Sequence, residues 1–239
     1  MSLIFPRWTN TLPPLILGGL TTVALGAIGG VWYYFTPKFW SVGYRPEQPV
    51  NYSHQIHVGK LGMDCRYCHT HVEESNVANI PDTATCLGCH TGAGEAGYLN
   101  ADLWKAHKDN VNLVRVREAG ATHQPVLWRR VHKLPDYVQF THAAHVNAGI
   151  SCVSCHARID EQAVVRQSEP LTMGWCLDCH RAPEGSLVDS HGVLGTKVRI
   201  TDLNLVSQLL ASPDQMKKGA ELASKREIQP PQHCGACHY

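Results

Sequence analysis

Residues 52–69 read YSHQIHVGKLGMDCRYCH, and this stretch decides the fold. It contains two histidines three residues apart, a glycine-bearing spacer, and then Cys65-x-x-Cys68-His69. CxxCH is the attachment signature of c-type haem, in which both thiols add to the haem vinyl groups and the adjacent histidine binds the iron. The stretch recurs at residues 140–156 as FTHAAHVNAGISCVSCH, so the chain holds two copies of one cassette.

All ten cysteines of the 239-residue chain belong to CxxCH motifs. We number them in chain order as site 1 (Cys65, Cys68, His69), site 2 (Cys86, Cys89, His90), site 3 (Cys152, Cys155, His156), site 4 (Cys176, Cys179, His180) and site 5 (Cys234, Cys237, His238). Zinc ribbons and disulfide scaffolds also use cysteine pairs, but they do not require a histidine after each second cysteine. The sequence therefore predicts five haem c cofactors, with these five histidines as proximal iron ligands.

The composition agrees with a fold built around cofactors. Phenylalanine occurs four times and histidine fifteen times, so ordinary core material is scarce. We predict a multihaem cytochrome c of mostly irregular coil and short α-helices wrapped around haems, plus one N-terminal transmembrane helix. Five haems would add ten propionates to a formal charge of +1. That balance argues against nucleic-acid binding and suits basic or metal-bearing electron-transfer partners.

Residues 12–35, LPPLILGGLTTVALGAIGGVWYYF, carry no charge and are long enough to cross the bilayer core of about 30 Å. Trp32, Tyr33 and Tyr34, followed by Lys38 and Trp40, resemble an interfacial belt. The run exceeds the apolar region of a signal peptide, which favours an uncleaved signal anchor. Because c-type haems are attached outside the cytoplasm, we expect the N-terminus inside and the haem domain on the periplasmic side of the inner membrane.

The domain boundaries follow from these features. We predict a cytoplasmic N-terminus at 1–11, a transmembrane anchor at 12–36, a proline-containing linker at 37–51 and a periplasmic pentahaem domain at 52–239. Within it lie duplicated two-haem modules at about 52–90 and 140–180 and the fifth haem at 234–238. Gly18, Thr22, Gly26 and Gly30 form a stripe of small residues that favours docking on other membrane helices, although glycine is common in such helices.

Each module has two attachment sites and two additional histidines, which is the number required for two bis-histidine haems. Residues three apart on a helical turn lie on nearly the same face but diverge. One histidine can therefore bind the iron of the next haem along the chain while the other reaches a neighbouring haem. The predicted distal iron ligands are His54, His57, His142 and His145.

Site 5 has no cassette of its own. His132 is the leading candidate for its distal ligand, because Pro135 favours an extended approach in RRVHKLPDYVQFTHAAH. Met173, three residues before Cys176, is the alternative for one haem and would give it a higher potential. His107, His123 and His191 are less favoured. We expect no catalytic residues.

Three more short helices are predicted outside the cassettes. One lies around residues 101–107, one covers TDLNLVSQLLAS with Thr201 or Asp202 as its N-cap, and one runs from 214 to 226 after Pro213. These helices are expected to pack over haem faces.

The HxxH-then-CxxCH pattern resembles class III multihaem cytochromes c. That resemblance implies that His54 binds the haem of His69 and His142 the haem of His156. His57 and His145 would then serve the other haem of each module, or a haem across the module boundary.

The membrane helix, the five CxxCH motifs, the paired cassettes and the run VHKLPDYVQFTHAAHV also resemble the pentahaem membrane-anchored subunit of bacterial alternative complex III. The resemblance implies a non-catalytic electron-transfer subunit that receives electrons from integral membrane quinol-oxidising subunits through an iron–sulfur subunit. Other implied partners are a mono-haem cytochrome c subunit and, as acceptor, a soluble periplasmic cytochrome or copper protein. The alternatives are a stand-alone membrane-anchored multihaem quinol dehydrogenase and a multihaem reductase with one open haem.

Overall fold

The structure, a computed structural model, describes residues 6–36, 41–90 and 109–238. The predictions for Lys38, Trp40, His107 and the helix at 101–107 lie outside the described residues. The chain divides into two units, Met1–Val42 and Gly43–Tyr239.

The first unit contains a single long helix in its described part. A 3-10 turn at Arg7–Asn10 leads into α1, Leu12–Tyr34, whose first turn contains two prolines where a missing N–H has no consequence. No side chain of α1 is buried, and Thr22 Oγ1 donates a hydrogen bond to the Gly18 carbonyl at 2.9 Å. Its length and composition fit either a membrane-spanning anchor or a signal sequence.

The second unit consists of short helices joined by coil. Two isolated antiparallel bridges, Val138 with His238 and Ile150 with Leu187, are the β-pairing found among the described residues. The helices are a π-helix at Gln55–Lys60, α2 Cys65–Cys68, α3 Thr83–His90, α4 Val111–Ala121, α5 His142–Ala148, α6 Val153–His156, a 3-10 turn Ile159–Glu161, α7 Met173–Arg181, a 3-10 turn Pro183–Gly185, α8 Leu203–Leu210, α9 Gln215–Lys225 and α10 Cys234–Cys237. The predicted mixture of coil and short helices is confirmed.

The helices predicted after the second module are present. Asp202 is the N-cap of α8, and its carboxylate accepts the Leu205 N–H at 3.0 Å. α9 packs on the Pro183–Gly185 turn through Gly219, where an added Cβ would collide with the Glu184 carbonyl. Glycine is therefore required at this close approach.

The apolar core of the second unit is small. Ten apolar side chains are buried in the described part of the chain. Val72, Val146, Val188, Ile200 and Val206 form its central cluster, which joins the segment after site 1, α5 and the segment after site 4 to α8. So few buried side chains give a unit of this size little hydrophobic stabilisation, which is the condition expected where cofactors supply much of the core.

Candidate haem sites

The two cassettes have the same local geometry. In each, an aromatic ring lies edge-on to the first histidine and stacked on the second. Tyr52 lies 4.9 Å from His54 and 4.4 Å from His57, measured between ring centroids. The second cassette repeats this, at 4.8 and 4.7 Å, for Phe140 with His142 and His145. The aromatic residue orients both imidazoles, a role visible in the sequence as an aromatic two residues before each HxxH but not inferred from it.

The spacer between HxxH and CxxCH is one residue longer in the first cassette, seven residues against six. The π-helix absorbs the extra residue, since the Leu61 N–H donates to the Ile56 carbonyl five residues back. The second cassette has an ordinary α-helix here. A left-handed glycine follows each helix, Gly62 with φ 69° and Gly149 with φ 99°, and each lies three residues before the first cysteine of its CxxCH motif.

Three pairs of predicted proximal and distal histidines face each other. The ring centroids are 6.5 Å apart for His54 and His69, with the planes 5° from parallel. They are 6.2 Å apart for His57 with His90 and 6.0 Å for His145 with His180. A metal about 2.0–2.1 Å from one nitrogen of each ring would hold the centroids about 6 Å apart. The spacing in all three pairs fits a shared iron.

Backbone carbonyls fix the orientation of five of the predicted ligands. Each accepts a hydrogen bond from an imidazole Nδ1, at 2.6–2.9 Å. The pairs are His57 with Ser53, His69 with Asn79, His142 with Asn76, His145 with Thr141 and His180 with Pro231. A carbonyl oxygen only accepts, so Nδ1 carries the proton and Nε2 is left to bind a metal, as in other metal-bound histidines.

Burial keeps three of the predicted ligand imidazoles neutral. It lowers the pKa of His54 to about 4, with a smaller contribution from His69. It lowers the pKa of His156 to about 3, with His132 as the next cause. Burial also lowers the pKa of His145. A neutral imidazole is the form that binds a metal, so the rings are in the required state at neutral pH.

The two modules pack on each other reciprocally. The π-helix of the first cassette contacts the segment after site 3, where the Gln55 N–H donates to the Gln162 carbonyl at 3.1 Å. The second-cassette helix α5 contacts the segment after site 1, where the Ala143 N–H donates to the Ser75 carbonyl at 3.0 Å and Asn147 Nδ2 to the Glu73 carbonyl at 2.9 Å. Each histidine-bearing helix is therefore held by the other module.

Mutual effects on thiol pKa values indicate which attachment sites are neighbours. The thiols of Cys65 and Cys152 lie close enough for each to shift the pKa of the other, which makes sites 1 and 3 neighbours. Burial and then the thiol of Cys86 raise the pKa of Cys68, and this proximity joins sites 1 and 2. Burial and then the thiol of Cys179 raise the pKa of Cys155, which joins sites 3 and 4.

Site 5 adjoins site 4. Burial and then the thiol of Cys237 raise the pKa of Cys176. The segment leading to site 5 also runs along His180, which donates to the Pro231 carbonyl and whose own carbonyl accepts from Gln232 Nε2 at 3.3 Å. The five sites thus follow one another in the order 2, 1, 3, 4, 5.

The leading candidate for the distal ligand of site 5, His132, lies elsewhere. The Gln139 N–H donates to the Cys237 carbonyl at 2.7 Å, and the ring contact of His238 in the described chain is with Tyr137, at 5.7 Å. His132 instead lies against His156, with ring centroids 4.3 Å apart. The side chain of Met173 is 65% exposed. The structure therefore does not bring His132 to site 5, where the sequence led us to expect it.

An apolar cleft of about 800 Å³ opens beside the first thiol of site 2. Its walls include Cys86, Leu87, Val116 and Trp128. That volume lies within the range of small-molecule and cofactor sites, about 300–1,000 Å³. Together with the ring spacing and the Nδ1 tethers, this cleft shows that the residues present fit covalently attached haem.

Comparison with known proteins also indicates a multihaem cytochrome c. No protein-family model matches the chain. The chain is 32% identical over 143 residues to the menaquinone reductase, multiheme cytochrome c subunit, of Nitratidesulfovibrio vulgaris (strain Hildenborough). The match covers 60% of this chain and 58% of that protein. The chain is therefore a distant homologue of a multihaem cytochrome c, which implies covalently bound c-type haem, and its ten cysteines fit the CxxCH attachment motif.

Proposed function

We propose that this chain is an electron-transfer subunit with five covalent haems, which relays electrons between a quinone-linked membrane complex and a periplasmic redox protein. The observation that carries the proposal is the facing of His54 with His69, His57 with His90 and His145 with His180 at 6.0–6.5 Å. Haem supplies reversible one-electron chemistry at its iron. Histidines on both sides of the iron fill both axial positions, so they favour electron transfer over substrate binding.

The quinone link rests on the homologue's name and on the resemblance to alternative complex III. We propose integral membrane quinone-reactive subunits, an iron–sulfur subunit and a mono-haem cytochrome c subunit as partners. A soluble cytochrome or copper protein would be the outer acceptor. We propose flow from quinol to this acceptor, although the homologue's name describes a reductase of menaquinone. In this arrangement α1 anchors the chain in the cytoplasmic membrane with the haem domain on the periplasmic side.

The test is to purify the haem-loaded chain in mild detergent with whatever accompanies it. The proposal predicts five haems per chain, membrane partners that co-migrate, and reduction of the haems by a quinol only when those partners are present. Reduction of the separated chain by quinol would favour a stand-alone quinol dehydrogenase instead. Fewer than five haems per chain would contradict the proposed cofactor content.

The neighbour contacts give this proposal an internal order. We propose that electrons follow sites 2, 1, 3, 4 and 5, because the thiols of successive sites lie close enough to shift one another's pKa. Within each module the two sites are also served by histidines of one helical turn. His54 and His57 sit together in the chain and face sites 1 and 2. His145 faces site 4, and His142 of the same helix lies close enough to His156 to lower the pKa of that ring.

Removal of single haems tests the order. Neighbouring charges shift a redox potential strongly and distant ones weakly. Replacement of Cys65 and Cys68 by alanine should therefore shift the potentials of the haems at sites 2 and 3 most. Replacement of Cys86 and Cys89 should shift mainly the haem at site 1. A larger shift at site 4 or 5 than at site 1 in the second variant would refute the order.

A reductase with one open haem is the second candidate. The observation that favours it is that no histidine ring contact with His238 occurs among the described residues, where Tyr137 is its ring neighbour. A haem at site 5 without a second strong ligand would give a high-spin iron signal and bind carbon monoxide. Low-spin spectra for all five haems, with no carbon monoxide binding, would leave electron transfer as the function.

A further inference from the structure

We propose that His132 is the hydrogen-bond acceptor for the proximal ligand of site 3, His156, and is not itself an iron ligand. The proposal rests on the proposed haem at site 3. It gives His132 the role of a positioning residue that acts on the iron through His156.

The ring geometry of His132 and His156 differs from that of the three facing ligand pairs. The ring centroids of His132 and His156 are 4.3 Å apart and the planes are nearly perpendicular, at 87°. Nδ1 of His156 lies 3.2 Å from Nε2 of His132, which is a hydrogen-bond distance. Two rings that shared a metal would have their nitrogens about 4 Å apart, given metal–nitrogen distances of about 2.0–2.1 Å. His132 therefore contacts the back of His156, on the nitrogen that does not bind iron.

Two other proximal histidines show that Nδ1 needs a hydrogen-bond acceptor. His69 donates its Nδ1–H to the Asn79 carbonyl at 2.6 Å, and His180 donates its own to the Pro231 carbonyl at 2.7 Å. Asn79 has φ 71°, a left-handed conformation that asparagine tolerates, and its carbonyl accepts from His69 in that conformation. At site 3 the imidazole of His132 takes the place of the carbonyl. An imidazole nitrogen is much more basic than an amide oxygen, so this acceptor should strengthen His156 as a ligand.

The segment that carries His132 is fixed by residues that are distant in the sequence. Gln48 forms two hydrogen bonds with the backbone of Arg129, each 2.9 Å long. Lys133 lies 5.8 Å from the centroid of the Tyr44 ring, a cation–π distance. These contacts fix the chain on both sides of His132, as a positioning residue requires.

The consequence is a lower reduction potential for the haem at site 3. A proximal histidine that donates to a stronger acceptor carries more negative charge, and it stabilises the oxidised iron relative to the reduced iron. Site 3 lies at the centre of the proposed order, where a change of potential would affect electron passage between the two modules.

The test compares His132→Leu, which removes the acceptor, with His132→Gln, whose Oε1 can still accept. His191→Ala is the matched control, because His191 bonds the Asn147 carbonyl rather than a ligand histidine. Gln48→Ala is a milder variant that loosens the segment without altering His132. Haem content is counted by mass first, and each haem potential is then followed by optical and EPR titration.

The proposal expects five low-spin haems in every variant and an upward shift of one potential in His132→Leu. The shift should be smaller in His132→Gln and Gln48→Ala, and absent in His191→Ala. A new high-spin, carbon monoxide-binding haem in His132→Leu would identify His132 as an iron ligand and overturn the proposal. Equal shifts in the Leu and Gln variants, or no shift in either, would also overturn it. Absence of haem from site 3 in the wild type would instead contradict the proposed function.

Discussion

Replacement of Gly59 by alanine should weaken the packing between the two modules. Gly59 lies in the π-helix, and a Cβ there would stand 2.5 Å from the carbonyl oxygen of Asp160 and 3.7 Å from its carbon. Carbon–oxygen contacts of this kind ordinarily measure about 3.3–3.6 Å, so the helix and the segment after site 3 must separate by about 1 Å. Both sides of the contact are backbone, which has no rotamer change to relieve it. Overpacking of this sort costs about 1–3 kcal/mol of folding free energy.

The assay is denaturant unfolding of the haem-loaded chain, followed by Soret absorbance and circular dichroism. Gly174→Ala is the control, because Gly174 is also helical and nothing lies within 4 Å of an added Cβ. There alanine should be neutral or stabilise by up to about 1 kcal/mol through helix propensity. The potentials of the haems at sites 1 and 3 should also shift in Gly59→Ala and stay unchanged in Gly174→Ala. Equal unfolding free energies for both variants would refute the reciprocal packing through this contact.

Three further predictions follow from the same geometry. Burial opposes ionisation of Asp64, but hydrogen bonds from Arg66 and Thr201 outweigh it and hold the pKa of that carboxyl well below its usual 3.8. The free energy of unfolding should therefore fall as the pH drops below 3.8, because the unfolded state takes up a proton there before the folded state does. The unfolding of Asp64→Asn should lack that pH dependence. Tyr52→Leu removes the ring stacked on His57, so spectra should show partial loss of low-spin haem at site 2, whereas Tyr67→Leu, at an exposed position in α2, should not. In α1, Gly26→Leu should release the chain from its membrane partners on purification, and retention equal to that of Val23→Leu would contradict docking through the small-residue stripe.

The attachment motifs could be read from the sequence because their chemistry is local. A thiol pair and its histidine need only a few adjacent residues, and the i,i+3 histidines diverge on any helical turn. The duplication identified the distal ligands, because two copies of HxxH at matching positions before CxxCH are hard to explain as exposed histidines. The resemblance to class III multihaem cytochromes c implied that His57 and His145 serve the other haem of each module or a haem across the module boundary, and the structure places them against His90 and His180.

The features that could not be predicted from the sequence depend on contacts between distant residues or with the backbone, which produce no recognisable sequence pattern. The acceptors for His69 and His180 are backbone carbonyls, which every residue has, so nothing in the letters marks Asn79 or Pro231. The position of His132 depends on Gln48, which is 81 residues from its partner Arg129. Proximity to the second cassette suggested a distal ligand, but the path of the chain brings the ring to the other side of a proximal histidine.

The reciprocal packing of the two modules bears on the direction of the proposed path. Duplication alone would give a line of four sites, 2, 1, 3 and 4, with the neighbouring thiols of Cys65 and Cys152 at its centre and equivalent ends. Equivalent ends give a partner no basis for choosing between them. The C-terminal segment removes that equivalence, because it runs along His180 and adds site 5 at one end only. Site 2, beside its apolar cleft, and site 5, whose Cys234 is exposed, then present different surfaces to donor and acceptor. In the proposed relay, the fifth site would therefore make the two ends of a symmetric pair of modules different.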